Sequence, residues 1–188
     1  MSSLDKFSGD RVIISTISNQ EYIPLREIHP ITSEMSGLLV HKFEIIDKDN
    51  TQIGWCNLEY RYPLESIPHW QVAARSELMS LVECARVDFV YIPYREKRGK
   101  GYGTAVYRHI IEKLIPSIPL VSSAELTSEK NDGEKGSREL WESLVADGYA
   151  KKFVKNGKIG YISIPPSWDQ QDNVDQKLEE IFIKNFDA

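Results

Sequence analysis

Arg98-Gly99-Lys100-Gly101-Tyr102-Gly103 lies between an apolar run, Val87 to Ile92, and a helical pattern that extends to about Ile115. Strand, glycine-rich loop and helix in that order present unpaired backbone N–H groups to an anion. The three glycines at 99, 101 and 103 remove the Cβ atoms that would hold a phosphate away from the main chain. Arg95, Lys97, Arg98 and Lys100 add four positive charges within six positions of a chain whose formal net charge is -5. A pyrophosphate is the ligand that this arrangement suits. The P-loop pattern is absent. The dinucleotide pattern G-x-G-x-x-G also fails, because Val106 stands where its last glycine would fall.

The strand before the loop, Glu83 to Ile92, alternates so as to place Ala85, Val87, Phe89 and Tyr91 on one face. Cys84, Arg86, Asp88, Val90 and Ile92 fall on the other. Two charges in the middle of a central strand call for partners. After the loop, Tyr102, Val106, Ile110 and Leu114 make one apolar stripe of a helix that Pro116 ends.

Elsewhere the chain alternates between strand and helix signals. Arg11 to Ile17 reads as a first strand. Pro24 and Pro30 limit residues 18 to 37 to one or two short helical turns. Leu38 to Ile46 and Gln52 to Arg61 flank the polar turn Asp47 to Thr51, a hairpin signal. Residues 62 to 80 form a long connection, with weak helical spacing from Trp70 to Leu81. Pro119 to Leu126 is a fifth strand, and Ser137 to Asp147 a helix ended by Gly148. Tyr149 to Val154 and Lys158 to Ile164 form a hairpin around Lys155-Asn156-Gly157. Asn173 to Phe186 is an amphipathic helix with Val174, Leu178, Ile181, Phe182 and Phe186 on one side. Docking on its own domain and a homodimer contact are both open to it. No internal repeat is visible.

Composition bounds the function. A chain of 188 residues, 41% hydrophobic and 27% charged, is expected to form one soluble globular domain, with a core at about 11–164 and an extension at 165–188. A net acidic surface argues against broad nucleic-acid or anionic-membrane binding. Cys56 and Cys84 make neither a disulfide framework nor a zinc pattern, and both read as small buried residues. His29, His41, His69 and His109 show no metal spacing. Met1 to Asp10 lacks the apolar core of a signal peptide, and no run reaches membrane-spanning length, so the expected location is cytosolic.

The spacing R-x-x-G-x-G, carried by Arg98, Gly101 and Gly103 with Tyr102 and Thr104 beside them, resembles the acyl-CoA loop of the GNAT family of N-acetyltransferases. The resemblance runs from the strand at 83 through the helix at Leu140 to Tyr149, covering roughly residues 83 to 163. It implies an α/β fold: a mixed, mostly antiparallel seven-strand sheet with helices on both faces, here with an added C-terminal amphipathic helix. It implies acetyl-CoA as co-substrate, no metal, and direct attack on the thioester by the primary amine of an acceptor, a small molecule or a protein. The backbone near Tyr91 and Ile92 would hold the pantetheine, and the N–H groups from Gly99 to Thr104 the pyrophosphate. Arg98 and Lys100 would add charge.

The family often places a carboxylate base on the fourth strand, a position that Asp88 approximates. Burial would raise its pKa as a base requires, whereas an ion pair with Arg86 would lower it. Glu59 and Glu83 are the alternatives. The family's acid is often a tyrosine on the second conserved helix, where this chain has Trp141, and indole cannot serve. Tyr149 or water is left as the acid, and Trp141 packs in the core or along the cofactor. Segments 18–37 and 62–80 are expected to wall the acceptor site, with Tyr22, His69 and Trp70 as contributors. A catalytically idle CoA-binding or interaction module is the second reading.

Overall fold

The computed structural model describes residues 23–32, 39–61, 82–123 and 137–186. Among them, seven strands form one mixed sheet: β1 (Leu25–Thr32), β2 (Leu39–Ile46), β3 (Gln52–Arg61), β4 (Cys84–Tyr91), β5 (Leu120–Val121), β6 (Ala150–Lys155) and β7 (Lys158–Ser163). Their order across the sheet is β1-β2-β3-β4-β5-β7-β6, and every neighbouring pair is antiparallel except β4 and β5. The helices are α1 (Tyr102–His109, continued by a π turn over Ile110–Leu114), α2 (Ser137–Ala146) and α3 (Val174–Phe186).

Neighbouring residues of the central strands point into different cores. Ala85, Leu120 and Tyr161 join Val106, Ile110, Trp141 and Leu144 of α1 and α2 on one face. Cys84, Val121 and Ile162 meet Leu178, Ile181, Phe182 and Phe186 of α3 on the other. The α/β class and the seven-strand sheet are thus present, with helices on both faces. The apolar side of α3 is covered by the chain's own sheet. Gly160 makes that docking close, because a Cβ there would stand 2.8 Å from Phe182 and 2.9 Å from Phe186.

Local signals give most of the elements. Asn50, at φ 59°, turns β2 into β3. Asn156 and Gly157, at φ 52° and 75°, supply the left-handed pair that a two-residue hairpin needs. Gly148, at φ 80°, ends α2: Tyr149 N–H donates to the Leu144 carbonyl and Gly148 N–H to that of Val145. This is the Schellman arrangement.

The structure departs from the expected elements at three places. Residues 25–32, expected to be short helical turns, form β1 instead, in register with β2 from Leu25↔Ile45 to Thr32↔Leu39. Pro30 is accommodated because β1 is an edge strand whose register shifts between Ile28 and Ile31. The helix after the glycine loop ends in a π turn, with Ile115 N–H donating to the Ile110 carbonyl. The third departure is in β4. Phe89 pairs with Asn57 and Val87 with Leu58, so Asp88 is an extra residue, a β-bulge. The bulge breaks the expected alternation. Val90 and Ile92 join Ala85 and Val87 against the α1–α2 core, while Phe89 and Tyr91 turn outward. The expected strand at 11–17 and the connection at 62–80 lie outside the described residues.

Candidate functional site

β4 is bound to β3 along its length, but to β5 only through Ala85↔Leu120 and Arg86↔Val121. Beyond that point β5 stays with β7: Ser122 N–H donates to the Tyr161 carbonyl, and the Tyr161 N–H donates to the Ser122 hydroxyl. β4 meanwhile continues beside β3 to Trp55↔Tyr91. Among the described residues, therefore, Val87 to Tyr91 has no partner on its β5 side. That edge offers main-chain N–H and C=O groups to an extended guest.

At the closed end of this opening an ion pair ties β4 to β3. Arg86 places Nε 3.0 Å and a terminal nitrogen 2.6 Å from Glu59 Oε2. Glu59 is 5% exposed. Arg86 is thus engaged across the strands and does not pair with Asp88. Asp88 is exposed and has no ion pair or side-chain hydrogen bond among the described residues. Neither expectation for it holds: it is not buried, and it is not neutralised by Arg86. The bulge is the reason, because it lifts Asp88 out of the alternation that would have put both side chains together.

At the other end of the opening, β4 passes through Ile92 and Pro93 into a 3₁₀ turn, Arg95–Lys97, and then the glycine loop. Gly99 and Gly101 have φ of 70° and 87°, the left-handed region that glycine enters freely. Gly101 caps α1, its carbonyl accepting from Ala105 N–H at 2.9 Å. Among the described residues the N–H groups of Gly99, Gly101, Tyr102, Gly103 and Thr104 have no backbone acceptor. They are clustered at a helix N-terminus, where the helix dipole favours negative charge. Gly103 also permits the approach of α2, since a Cβ there would be 3.1 Å from Leu140.

The basic residues of the loop divide their work. Arg98 folds back, its Nε donating to the Ile92 carbonyl at 2.7 Å, which ties the loop to the end of β4. Lys97 donates to Asp47 Oδ2 at 2.7 Å. Asp47 is buried in the β2–β3 turn and also accepts the N–H groups of Asp49 and Thr51, each at 3.0 Å. Burial pushes the Asp47 carboxyl up, but the Lys97 hydrogen bond, the two backbone donors and the Lys97 charge outweigh it and hold the pKa below its usual value. Arg95 is exposed at the surface and Lys100 half-buried. The Tyr102 side chain is buried in the core, so only its backbone faces the loop. The sequence reading of the Asp-x-Asp-Asn turn is a hairpin alone; that its first aspartate also ties Lys97 of the glycine loop is visible only in the structure.

Two expected site residues stand elsewhere. Trp141 is 1% exposed, edge-on to Tyr107 and stacked on Tyr161. It is a core residue, and its large apolar ring is satisfied there without a cofactor. Tyr149 donates to Glu112 at 2.5 Å, in the π turn that ends α1. Its carbonyl accepts from Ile164, next to the Ala150↔Ser163 pair at the start of β5. That is the closed end, about ten residues of helix from the glycine loop, or roughly 15 Å at 1.5 Å per residue. The Glu112 bond raises the Tyr149 pKa, with burial adding to it. Tyr149 therefore does not face the opening and is not positioned as the acid.

Cys56 and Cys84 are buried thiols, and burial pushes them up to about 12 and about 11. Such thiols are poor nucleophiles at neutral pH. Tyr22, His69 and Trp70, the expected acceptor contacts, lie outside the described residues. Among the described residues no helix is long and apolar enough to cross a membrane, and no cluster of His, Cys, Asp or Glu could hold a metal ion.

The chain matches no family model and no curated protein.

Proposed function

We propose that this protein is a GNAT-type N-acetyltransferase that moves an acetyl group from acetyl-CoA to a primary amine. The observation that carries the proposal is the parallel β4–β5 pair, joined among the described residues only at 85–86 and 120–121 and open there toward the glycine loop. A pantetheine arm carries two amides and can add to the free edge of β4 as a strand would. The same strand leads directly into a loop of free N–H groups at a helix start, suited to the pyrophosphate of the same molecule. One ligand with both parts, spaced along one chain, is coenzyme A.

In this reading the neutral amine attacks the thioester carbonyl. The new C–N bond forms, the C–S bond breaks, and the products are an acetamide and the CoA thiol, the proton lost by the nitrogen balancing the one gained by the sulfur. Backbone N–H groups at Tyr91–Ile92 polarise the carbonyl. Asp88, the free carboxylate on the open stretch, takes the amine proton directly or through water. Water protonates the departing thiolate, since Trp141 and Tyr149 are committed elsewhere.

Trp141 and Tyr149, the two residues considered as side-chain acid, are both engaged elsewhere, and this favours a second reading, an idle CoA-binding module. Two measurements test both. Calorimetry should show CoA binding to the native protein and none to folded Gly101→Asp, which adds bulk and negative charge among the loop N–H groups. Thiol release from acetyl-CoA should then appear with at least one primary amine. Equal CoA affinity in the two proteins overturns the binding site; binding without thiol release across a broad amine panel leaves the idle module.

A further inference from the structure

The β4 bulge exposes three aromatic rings beside the opening. Trp55, Phe89 and Tyr91 are 42%, 42% and 43% exposed, on the sheet face where α3 packs against the far strands, the beginning of β4 and, through Asn185, the end of β3 at Arg61. They form one row. Trp55 and Tyr91 are stacked with centroids 6.4 Å apart and planes within 11°, and Tyr91 and Phe89 with centroids 5.8 Å apart and planes within 25°. Without the extra residue, Phe89 and Tyr91 would have fallen on the core face. Large rings left in water in a contiguous row are uncommon on a monomer and mark a place where something apolar binds.

Charge narrows what that is. Of the carboxylates on and beside β3 and β4, Glu59 is neutralised by Arg86 and Glu83 by Lys184. Asp88, next to Phe89 in the chain, has no partner among the described residues. Glu44 of β2, opposite Trp55, is neutralised by Arg26. The patch therefore offers three rings with Asp88 as its unpaired carboxylate among the described residues, and the cation Lys42 of β2 stands on the same face opposite Asn57. A polyamine would bring more positive charges than this stretch can match. A hydrophilic amine would leave the rings unused. An amine with a single ammonium on a flat apolar body satisfies both parts, the body on the rings and the ammonium against Asp88, with a cation–π contribution from the nearest ring.

We infer that Trp55, Phe89 and Tyr91 form the acceptor subsite, and that the acceptor is a small aryl-alkyl monoamine. The inference rests on the acetyltransferase reading, because it places the amine along the stretch Asp88–Tyr91 whose free edge would hold the thioester. The donor then enters from the glycine-loop end, and the acceptor stands on the aromatic face of the same strand.

2-Phenylethylamine is the probe, compared with hexylamine and spermidine. Direct binding is followed by tryptophan fluorescence without CoA, and turnover by thiol release from acetyl-CoA. The expected results are a quench with 2-phenylethylamine that disappears in Trp55→Ala, and a preference for it over both other amines. In Trp55→Ala and Phe89→Ala its KM should rise about five- to tenfold, the order expected for losing one aromatic contact. CoA affinity and melting temperature should stay near those of the native protein. Spermidine preferred, or a 2-phenylethylamine KM unmoved in both variants, overturns the aromatic subsite while leaving the transferase intact. A Trp55-dependent quench in a protein that binds no CoA does the reverse: the aryl-amine site stands and the transferase reading falls. No quench and no turnover with 2-phenylethylamine, in a protein that binds CoA, also overturns the subsite.

Discussion

Gly54 is where the geometry of the opening can be perturbed with least ambiguity. A Cβ built at this position would stand 2.2 Å from the Tyr91 carbonyl oxygen, 3.1 Å from its carbon and 3.2 Å from the Ile92 Cα. All three are backbone atoms of β4, so no side-chain rotation relieves the clash. Gly54 is not in the left-handed region, so alanine is conformationally acceptable there and the contact alone is being tested. Restoring ordinary contact at 3.4 Å requires the Tyr91 carbonyl to withdraw by about 1.2 Å. That is about a quarter of the ~4.8 Å spacing between strands, enough to break a ladder hydrogen bond. Overpacking costs about 1–3 kcal/mol and a lost hydrogen bond about 1 kcal/mol. Alanine's smaller unfolded-state entropy offsets roughly 0.4–1 kcal/mol of this. The net is a loss of about 1–4 kcal/mol, which in a chain of this size lowers the melting temperature by roughly 2–4 °C per kcal/mol. The second readout is calorimetry. The displaced peptide is the one expected to hold the pantetheine, so CoA affinity should fall at least about tenfold, or 1.4 kcal/mol. A Gly54→Ala protein that melts within about 1 °C of the native one refutes the close approach itself. One that is destabilised but binds CoA with unchanged affinity refutes the assignment of Tyr91–Ile92 to the donor site.

Two further expectations concern the ties that hold the site in place. Asp47→Asn should destabilise the protein at neutral pH. The folded pKa of Asp47 is depressed, so its contribution is present above the unfolded value near 3.9 and is lost as pH falls through the lower folded value. The melting-temperature gap between native and Asp47→Asn proteins should accordingly be constant from pH 7 to 5 and close only below about pH 4; a gap that closes near pH 6 would point to another group. Phe182→Ala should cost about 3–5 kcal/mol, because the ring is 1% exposed and stacks on Phe153 and Phe186. A urea titration showing a loss below about 1 kcal/mol would mean that α3 does not depend on the sheet for its apolar face.

What could be read from the sequence is what short-range chemistry dictates. The hairpin at Asn156-Gly157, the α2 stop at Gly148, the glycine loop and the stripe of α3 are each specified by residues within a few positions of one another. The first strand was missed because Pro24 and Pro30 signal a break, whereas the penalty of a strand proline depends on whether the strand lies at an edge. That is a tertiary fact. The π turn of α1 leaves the apolar stripe nearly unchanged, so periodicity does not reveal it. The site suffered most. Trp141 and Tyr149 are suitable residue types, but one is engaged in the core and the other at the closed end of the sheet by Glu112. Residue type and motif position do not report which partner a side chain has already found.

Asp88 brings these points together. Strict alternation along 83–92 assigns Arg86 and Asp88 to one face of a central strand and leaves two buried charges to reconcile. The structure reconciles them separately. Arg86 is satisfied by Glu59 across the ladder, and Asp88 is removed from the ladder by a bulge. A bulge is invisible in the sequence of one strand, because the missing residue is on the other: Asn57 and Leu58 are adjacent in β3 while Phe89 and Val87 are not in β4. One residue of slip then exchanges the faces of everything that follows. Val90 and Ile92 complete the core under α1, and Phe89 and Tyr91 join Trp55 in solvent. The same slip lies on the part of β4 that β5 has left. The extra residue thus does more than relieve a buried charge: it gives the open stretch of strand an aromatic face, and it leaves on that stretch a carboxylate with no ion pair among the described residues.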